Sequence, residues 1–214
     1  MISRRPVDEV NAWWESVPGE RYWLDVTNRS DRNEFLAAPQ GVGRSSASWA
    51  HRLITHVKDG DVVFHYDALQ ESIVAWSIPY GRVEKMQLSW PLAESHAAEG
   101  ATSQRLLSWA IGLRQFTPLG AAVPLREIAQ IQWSLFPSLR ALEDEVGGPL
   151  YYPFEMGIRE ATRPLSGYVF KLPSVLVHGS PELASAAHRV ARLLEPYESV
   201  SSPLIASGRA LSAS

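Results

Sequence analysis

The sequence predicts an α+β fold, a small twisted β-barrel decorated with helices, and three observations carry that expectation. The stretch 58–82, KDGDVVFHYDALQESIVAWSIPYGR, holds two β-branched and aromatic runs, Asp61–Tyr66 and Ser72–Ile78. A short polar connection without proline joins them, the pattern of an antiparallel hairpin. Along the first run Val63 and His65 point one way and Val62, Phe64 and Tyr66 the other, so both faces are bulky, as in a closed barrel rather than a half-wet sheet. Further on, Leu125, Ile128, Ile131, Leu135, Leu139 and Leu142 recur at helical spacing, and so do Leu183, Ala187, Val190 and Leu194.

In chain order, Pro6–Val17 sets Val7, Val10, Trp13, Trp14 and Val17 on one helical face, and Pro18-Gly19 stops it. Arg21–Thr27 alternates Tyr22, Leu24 and Val26 against Trp23, Asp25 and Thr27, a strand with one apolar and one mixed face. After a polar break and Asn33–Ala38 comes the Gly/Ser loop 39–48, which ends at Trp49. His51–Val57 reads as a helical turn, and Lys58-Asp59-Gly60 as the tight turn into the hairpin. Arg82–Leu92 reads as a further strand ended by Pro91, Glu94–Gln104 as a surface excursion and Arg105–Arg114 as β-tolerant. Pro137 divides the pattern from Val123 to Leu142 into two helices. Gly147-Gly148-Pro149 is a turn, Pro153 splits the aromatic run Tyr151–Glu155, and Gly167–Leu172 is a last short strand. Ser180-Pro181-Glu182 supplies an N-cap, a proline at N1 and an acidic first turn for a helix. From Glu198 the Ser, Pro, Gly and Ala composition reads as a disordered tail or linker.

Composition narrows the function. At 214 residues, 45% hydrophobic and 20% charged, the chain suits one elaborated domain with a tail. No apolar run reaches the roughly 20 residues of a membrane span and the start is no secretory signal, so the expectation is a cytoplasmic protein with no membrane partner. Having no cysteine, it has neither thiolate nucleophile nor Cys-based zinc site. A net charge of −3 argues against coating nucleic acid by bulk charge while leaving room for a local basic face. His51 and His56 stand five apart, not the i, i+4 of two ligands on one helical face, so no metal site is argued. No cofactor motif is present, neither phosphate loop nor dinucleotide fingerprint, and there is no G-x-S-x-G. The acidic cluster Glu143-Asp144-Glu145 reads as a solvated helix end.

What remains is aromatics placed where strands and loops meet. RYWLDVTNR at 21–29, SWAHR at 48–52, DGDVVFHYD at 59–67 and IVAWSIPYGRV at 73–83 resemble the EVE domain, a PUA-like barrel related to the YTH domain. LRQFTPLGAAVPLREI at 113–128 is similar to that family's closing strand and following helix. YYPFE at 151–155 with GYVFKLP at 167–173 resembles the extended form in bacterial restriction proteins that act on modified DNA. The likeness spans roughly residues 20 to 178 and implies a modified-base-binding domain over 1–178, followed by a helix at 179–197 and the tail at 198–214.

The resemblance implies a reader that flips a modified base into an aromatic-walled pocket. Thr27 and Asn28 then occupy the strand end that supplies polar groups to the base edge, Trp49 followed by Ala50 forms one wall, and Trp90 aligns with a second. Tyr66 and Asp67 match an aromatic and a small polar position, and a carboxylate at Asp67 suits an exocyclic amine, as with cytosine N4. Each of these aromatics also reads as plain core, as do Trp23 and Trp76. Arg29, Arg32, Arg44, His51, Arg52 and Lys58 are the basic residues near the expected mouth, candidates for DNA backbone phosphates. One buried methyl is worth only about 0.8 kcal/mol, so discrimination must come from shape and from polar groups that the wrong base leaves unpaired. The expectation is thus a binding module of a modification-dependent restriction system, its nuclease lying in a part of a longer protein beyond Ser214. An RNA-binding PUA-like module is one alternative. An enzyme for a small ring compound is another, with His65 and Asp67 as its acid and base. Whether the base is 5-methylcytosine, 5-hydroxymethylcytosine or N6-methyladenine stays open.

Overall fold

The computed structural model describes residues 10–27, 33–40, 48–91, 103–152 and 167–198. Six strands form one sheet: β1 (Tyr22–Val26), β2 (Phe35–Pro39), β3 (Val62–Asp67), β4 (Ser72–Pro91), β5 (Ser103–Pro124) and β6 (Tyr168–Leu172), in the order β2-β5-β4-β3-β1-β6. The helices are α1 (Ser48–Arg52), α2 (Leu125–Ser134), α3 (Phe136–Val146), α4 (Ser174–Gly179) and α5 (Pro181–Glu198), with 3-10 turns at Trp13–Glu15 and Leu53–His56. The protein is therefore mixed α+β, built on a curled, half-barrel sheet of six strands.

The central hairpin forms where the alternation demands it. In β3, Val62, Phe64 and Tyr66 enter one core with α5, while Val63 enters a second core on the other face with Trp13, Trp14 and the turn at Leu53–His56. β1 obeys the same rule, sending Tyr22, Leu24 and Val26 to the first core and Trp23 to the second. Each buried side chain of this size is worth about 1.5–3 kcal/mol, so a slip of one residue in either strand would exchange the faces and forfeit both cores. β1 and β3 run parallel, Tyr22 opposite Val62 and Val26 opposite Tyr66, and β6 runs antiparallel on the other side of β1. Trp23 and Trp76, 1% and 2% exposed, are core as the alternation predicts.

Several elements depart from the sequence reading. Of the expected opening helix, the described part is the single turn Trp13–Glu15. Asn33–Ala38, which carried no assignment, contributes β2, whose Leu36, Ala37 and Ala38 are buried against β5. Arg82–Pro91 is not a separate strand but the continuation of β4, carried past Gly81 by a positive φ of 79° and a register shift between Tyr80 and Glu84. Tyr80 lies over Gly112 where this arm begins, in the space a side chain on Gly112 would fill. β5 runs unbroken through Pro118 because the ladder slips on both sides of that proline, where its missing N–H is not needed. Pro137 starts α3 and Gly147, at φ 68°, ends it, as the two-helix reading requires. Segment 174–179, unassigned from the sequence, is α4. α5 lays Leu183, Ala186, Ala187, Val190 and Leu194 on the sheet and so belongs to the same core as the hairpin. Residues 199–214, the expected tail, lie outside the described residues, as do 1–9, 28–32, 41–47, 92–102 and 153–166. Among the described residues no helix is long and apolar enough to cross a membrane.

Candidate functional site

The carboxyl end of β1 is where sequence-distant pieces meet. Val26 sits between Tyr66 of β3 and Tyr168 of β6. α1 contacts both edge strands, β2 and β6, and so spans the open side of the curl at this end. His51 of α1 stacks on Tyr168 with ring centroids 4.6 Å apart at 25°. The long β4–β5 arm also comes round to this end: a Cβ on Gly167, one residue before β6, would lie 2.6 Å from the Trp90 ring and 2.7 Å from Pro39. Segments around residues 26, 39, 51, 66, 90 and 168 are thereby gathered together.

The expected pocket residues take different parts in this assembly. Thr27 is buried at the strand end, and its Oγ1 has no hydrogen-bond partner among the described residues. Trp49 belongs to the first turn of α1 instead of dangling from a loop. Its half-buried ring is wedged against Tyr151 at 5.2 Å and Phe170 at 6.0 Å and packs on both cores. Ala50 is fully buried beside it. Tyr66 is core, and burial pushes its phenol up, with Glu71 and Asp67 adding to the rise. Trp90 is 1% exposed and donates its indole N–H to Ser108 Oγ at 2.9 Å, so it backs the gathering and does not line an open cavity. Asp67 stands at this end, but its Oδ1 accepts the amides of Leu69 and Gln70 at 2.9 and 3.1 Å, the task of an Asx turn residue closing the hairpin.

Of the expected phosphate contacts, Arg52 is exposed on α1, and His51 is 6% exposed with its ring committed to the stack. Lys58 is a correction: it precedes β3, at the opposite end of the parallel β1–β3 pair, and pairs with Glu15 at 3.1 Å. Asn28, Arg29, Arg32 and Arg44 lie outside the described residues.

Two buried polar clusters went unread in the sequence. On the inner face of three adjacent strands, His65 Nδ1 meets Asp25 Oδ2 at 2.9 Å and His65 Nε2 meets Ser77 Oγ at 2.6 Å, all three residues at most 1% exposed. The composition is that of a hydrolytic triad, but the serine is sealed in the sheet. Both imidazole nitrogens are occupied, so His65 is not joined to Asp67 as an acid and base pair. Asp25 keeps one oxygen, Oδ1, buried and without a partner among the described residues. Asp25 and Thr27, two apart on one strand, present their unmet oxygens on the same face. Gln40, next to Pro39, adds an unmet Nε2 donor. The only sequence signal for any of this was the mixed face of β1, since no local motif spans residues 25, 65 and 77.

The second cluster sits at the other end of β1. Lys171, fully buried, donates to Glu20 Oε2 at 3.1 Å and to the carbonyls of Tyr22 and Leu172, and lies over the rings of Trp13 and Trp23. Glu20 in turn accepts the Ser174 amide and hydroxyl. Burial pulls the Lys171 pKa down to about 8, against the opposing pull of Glu20 and Asp61. Asp61, whose carboxyl burial pushes up, accepts the Trp23 indole N–H at 2.7 Å. Among the described residues no group of three or more His, Asp or Glu side chains is arranged to hold a metal.

No family model and no curated protein matches the sequence. Among solved structures, the NMR structure of Rpa0253 from Rhodopseudomonas palustris is similar over 81% of this chain and 94% of its own, at 16% identity and a TM-score of 0.36. A likeness of that degree bears on neither family nor function.

Proposed function

We propose that the chain is a modified-base reader of the PUA-like, EVE type, the recognition module of a modification-dependent restriction system whose nuclease resides elsewhere. The observation that carries this reading is the pair of unmet buried oxygens, Asp25 Oδ1 and Thr27 Oγ1, on one face of the β1 end, with the half-buried Trp49 touching both cores and Tyr66 and Tyr168 on the opposite face beside Val26. A buried polar atom left unsatisfied costs about 1–3 kcal/mol, and a base edge that supplies a donor relieves it. Asp25 replaces Asp67 as the carboxylate suited to an exocyclic amine, because the Asp67 Oδ1 is already engaged by its own turn. His65, held by Ser77, fixes the carboxylate from behind. Trp49 supplies the stacking face, worth ~1–3 kcal/mol per base whatever its modification, and Arg52 is the exposed cation on the same helix for a phosphate.

The test is a panel of duplexes differing in one base, cytosine, 5-methylcytosine, 5-hydroxymethylcytosine, adenine or N6-methyladenine, titrated at fixed salt, with matching RNA alongside. One modified DNA duplex is expected to bind several-fold or more above its unmodified parent, without cleavage in magnesium. Equal affinity across the panel, or nicking abolished by a point substitution within the chain, refutes the reading. An affinity that requires the 2′-hydroxyl moves it to the RNA alternative.

A further inference from the structure

On the face of the sheet away from the Asp25–His65–Ser77 cluster, α5 and the bend of β5 enclose a groove of about 530 Å³ lined by Trp76, Gln115, Thr117, Arg189, Arg192 and Leu193. Its lining is one-sided in charge, with two guanidiniums and no carboxylate. Arg189 and Arg192 stand three apart on α5, hence on one helical face, and no described acid pairs with either, in a chain whose net charge is −3. Two lining residues also hold buried N–H donors without an acceptor among the described residues: the indole Nε1 of Trp76, a residue 2% exposed, and Nε of Arg189. Buried donors of this kind are retained at a cost unless something accepts from them. The bend itself is unusual, since Gln115 takes a φ of 58°, a left-handed conformation that a side-chain-bearing residue adopts rarely. Beside the groove lies a second hollow of about 590 Å³ that shares both arginines and adds the Glu182 carboxylate, Ser185 and His188. The apolar part of the groove is the Trp76 ring, the 42% exposed Leu193 and the arginine stems.

We propose that this groove is a binding site for a small organic oxyanion, a phosphate or carboxylate on an apolar or aromatic body, separate from the base-reading end of the barrel. The planar fork of arginine matches an oxyanion bidentately, two arginines side by side on one helical face fix its position, and unmet N–H groups favour a ligand that only accepts. The volume suits a ligand of mononucleotide size or smaller, and the Trp76–Leu193 floor selects one with an apolar portion.

The probe is phenyl phosphate, with inorganic phosphate as the oxyanion without a body, titrated into the full chain labelled for indole N–H resonances. A saturable shift of the Trp76 indole proton is expected, with phenyl phosphate binding more tightly than inorganic phosphate. Arg192→Gln, at an exposed position, is expected to weaken phenyl phosphate by about tenfold, as loss of a charge-assisted contact does, and Arg189→Gln with it to abolish the shift. Unchanged binding in the double variant, equal affinity for the two probes, or no movement of the Trp76 resonance overturns the proposal. Modified-duplex affinity is expected to stay the same in the double variant. A loss there assigns the arginines to backbone phosphate and overturns the small-molecule site without touching the base-reading end.

Discussion

Replacing Lys171 by methionine probes a charged amine held wholly inside the fold. Nζ has Glu20 Oε2 at 3.1 Å, the Tyr22 carbonyl at 3.0 Å and the Leu172 carbonyl at 3.2 Å, with the Trp13 and Trp23 ring centroids 5.5 and 5.4 Å away. Burial outweighs the two carboxylates and lowers its pKa from 10.5 to about 8. An amine with a folded pKa below its unfolded value binds fewer protons when folded, so stability rises with pH across the interval between the two. The cost of keeping the ammonium buried is present in full below about pH 8 and is relieved as the amine is neutralised. At about 1.4 kcal/mol per pH unit, the gap from 10.5 to about 8 corresponds to roughly 3.4 kcal/mol over the whole window. About 2 kcal/mol of this is reached by about pH 9.5, before tyrosines ionise. Urea unfolding followed by tryptophan fluorescence at about pH 7 and about pH 9.5 reads the difference. The unmodified chain is expected to gain that amount relative to Lys171→Met. At neutral pH the substitution is expected to cost ~3–5 kcal/mol, because it strands the Glu20 carboxylate. Adding Glu20→Gln recovers most of the loss, since a glutamine oxygen still accepts from Ser174. Where the single variant is too unstable to measure, Glu20→Gln alone serves: without its anion the amine neutralises at lower pH and the rise begins earlier. A wild-type stability that falls over this interval, or a Lys171→Met chain that keeps the same rise, refutes the reasoning.

Trp49→Ala is expected to lower both stability, by about 2 kcal/mol for a half-buried ring touching two cores, and modified-duplex affinity, by ~1–3 kcal/mol. Thermal melts and titrations separate the two, and a melting loss with affinity unchanged in the folded fraction removes Trp49 from the pocket. Gly167→Ala places a methyl 2.6 Å from the Trp90 ring at a φ of 47°, so a destabilisation of ~2–4 kcal/mol is expected in denaturant. An unaltered midpoint would mean that the arm carrying Trp90 is not held against the start of β6.

Much of the fold was legible because alternation and helical period are local. Val62 to Tyr66 declared two buried faces, and Pro137 and Gly147 declared the start and end of α3. Strand β2 was not legible, since Phe35-Leu36-Ala37-Ala38 is too short and too alanine-rich to announce a strand, and it exists because β5 offers it an edge. The fusion of two expected strands into β4 was hidden because Gly81 reads equally as a turn and as a bulge. At the site, the family resemblance marked Thr27 but not Asp25, whose part depends on a histidine and a serine 40 and 52 positions away. Lys58 was misplaced because adjacency in sequence to β3 says nothing about which end of a strand a neighbour occupies. The Trp49 loop suggested a free wall, whereas its helix turn and the distant Tyr151 and Phe170 make it a wedge.

The position of β1 sets an order on how this chain reaches its shape during synthesis. Its two partners come from far downstream: β3 begins 36 residues after the end of β1, and β6 begins 142 residues after it. Until 168–172 has left the ribosome, one side of β1 is a bare row of amides and carbonyls, while the adjoining hairpin can close at once through its short turn. The helix that covers Phe64 and Trp76 arrives later still, as α5 starts at Pro181. The nascent sheet therefore spends most of its translation with an adhesive edge and an uncovered apolar face. The last fifth of the chain relieves both, which makes it the part whose loss the rest of the molecule is least able to tolerate.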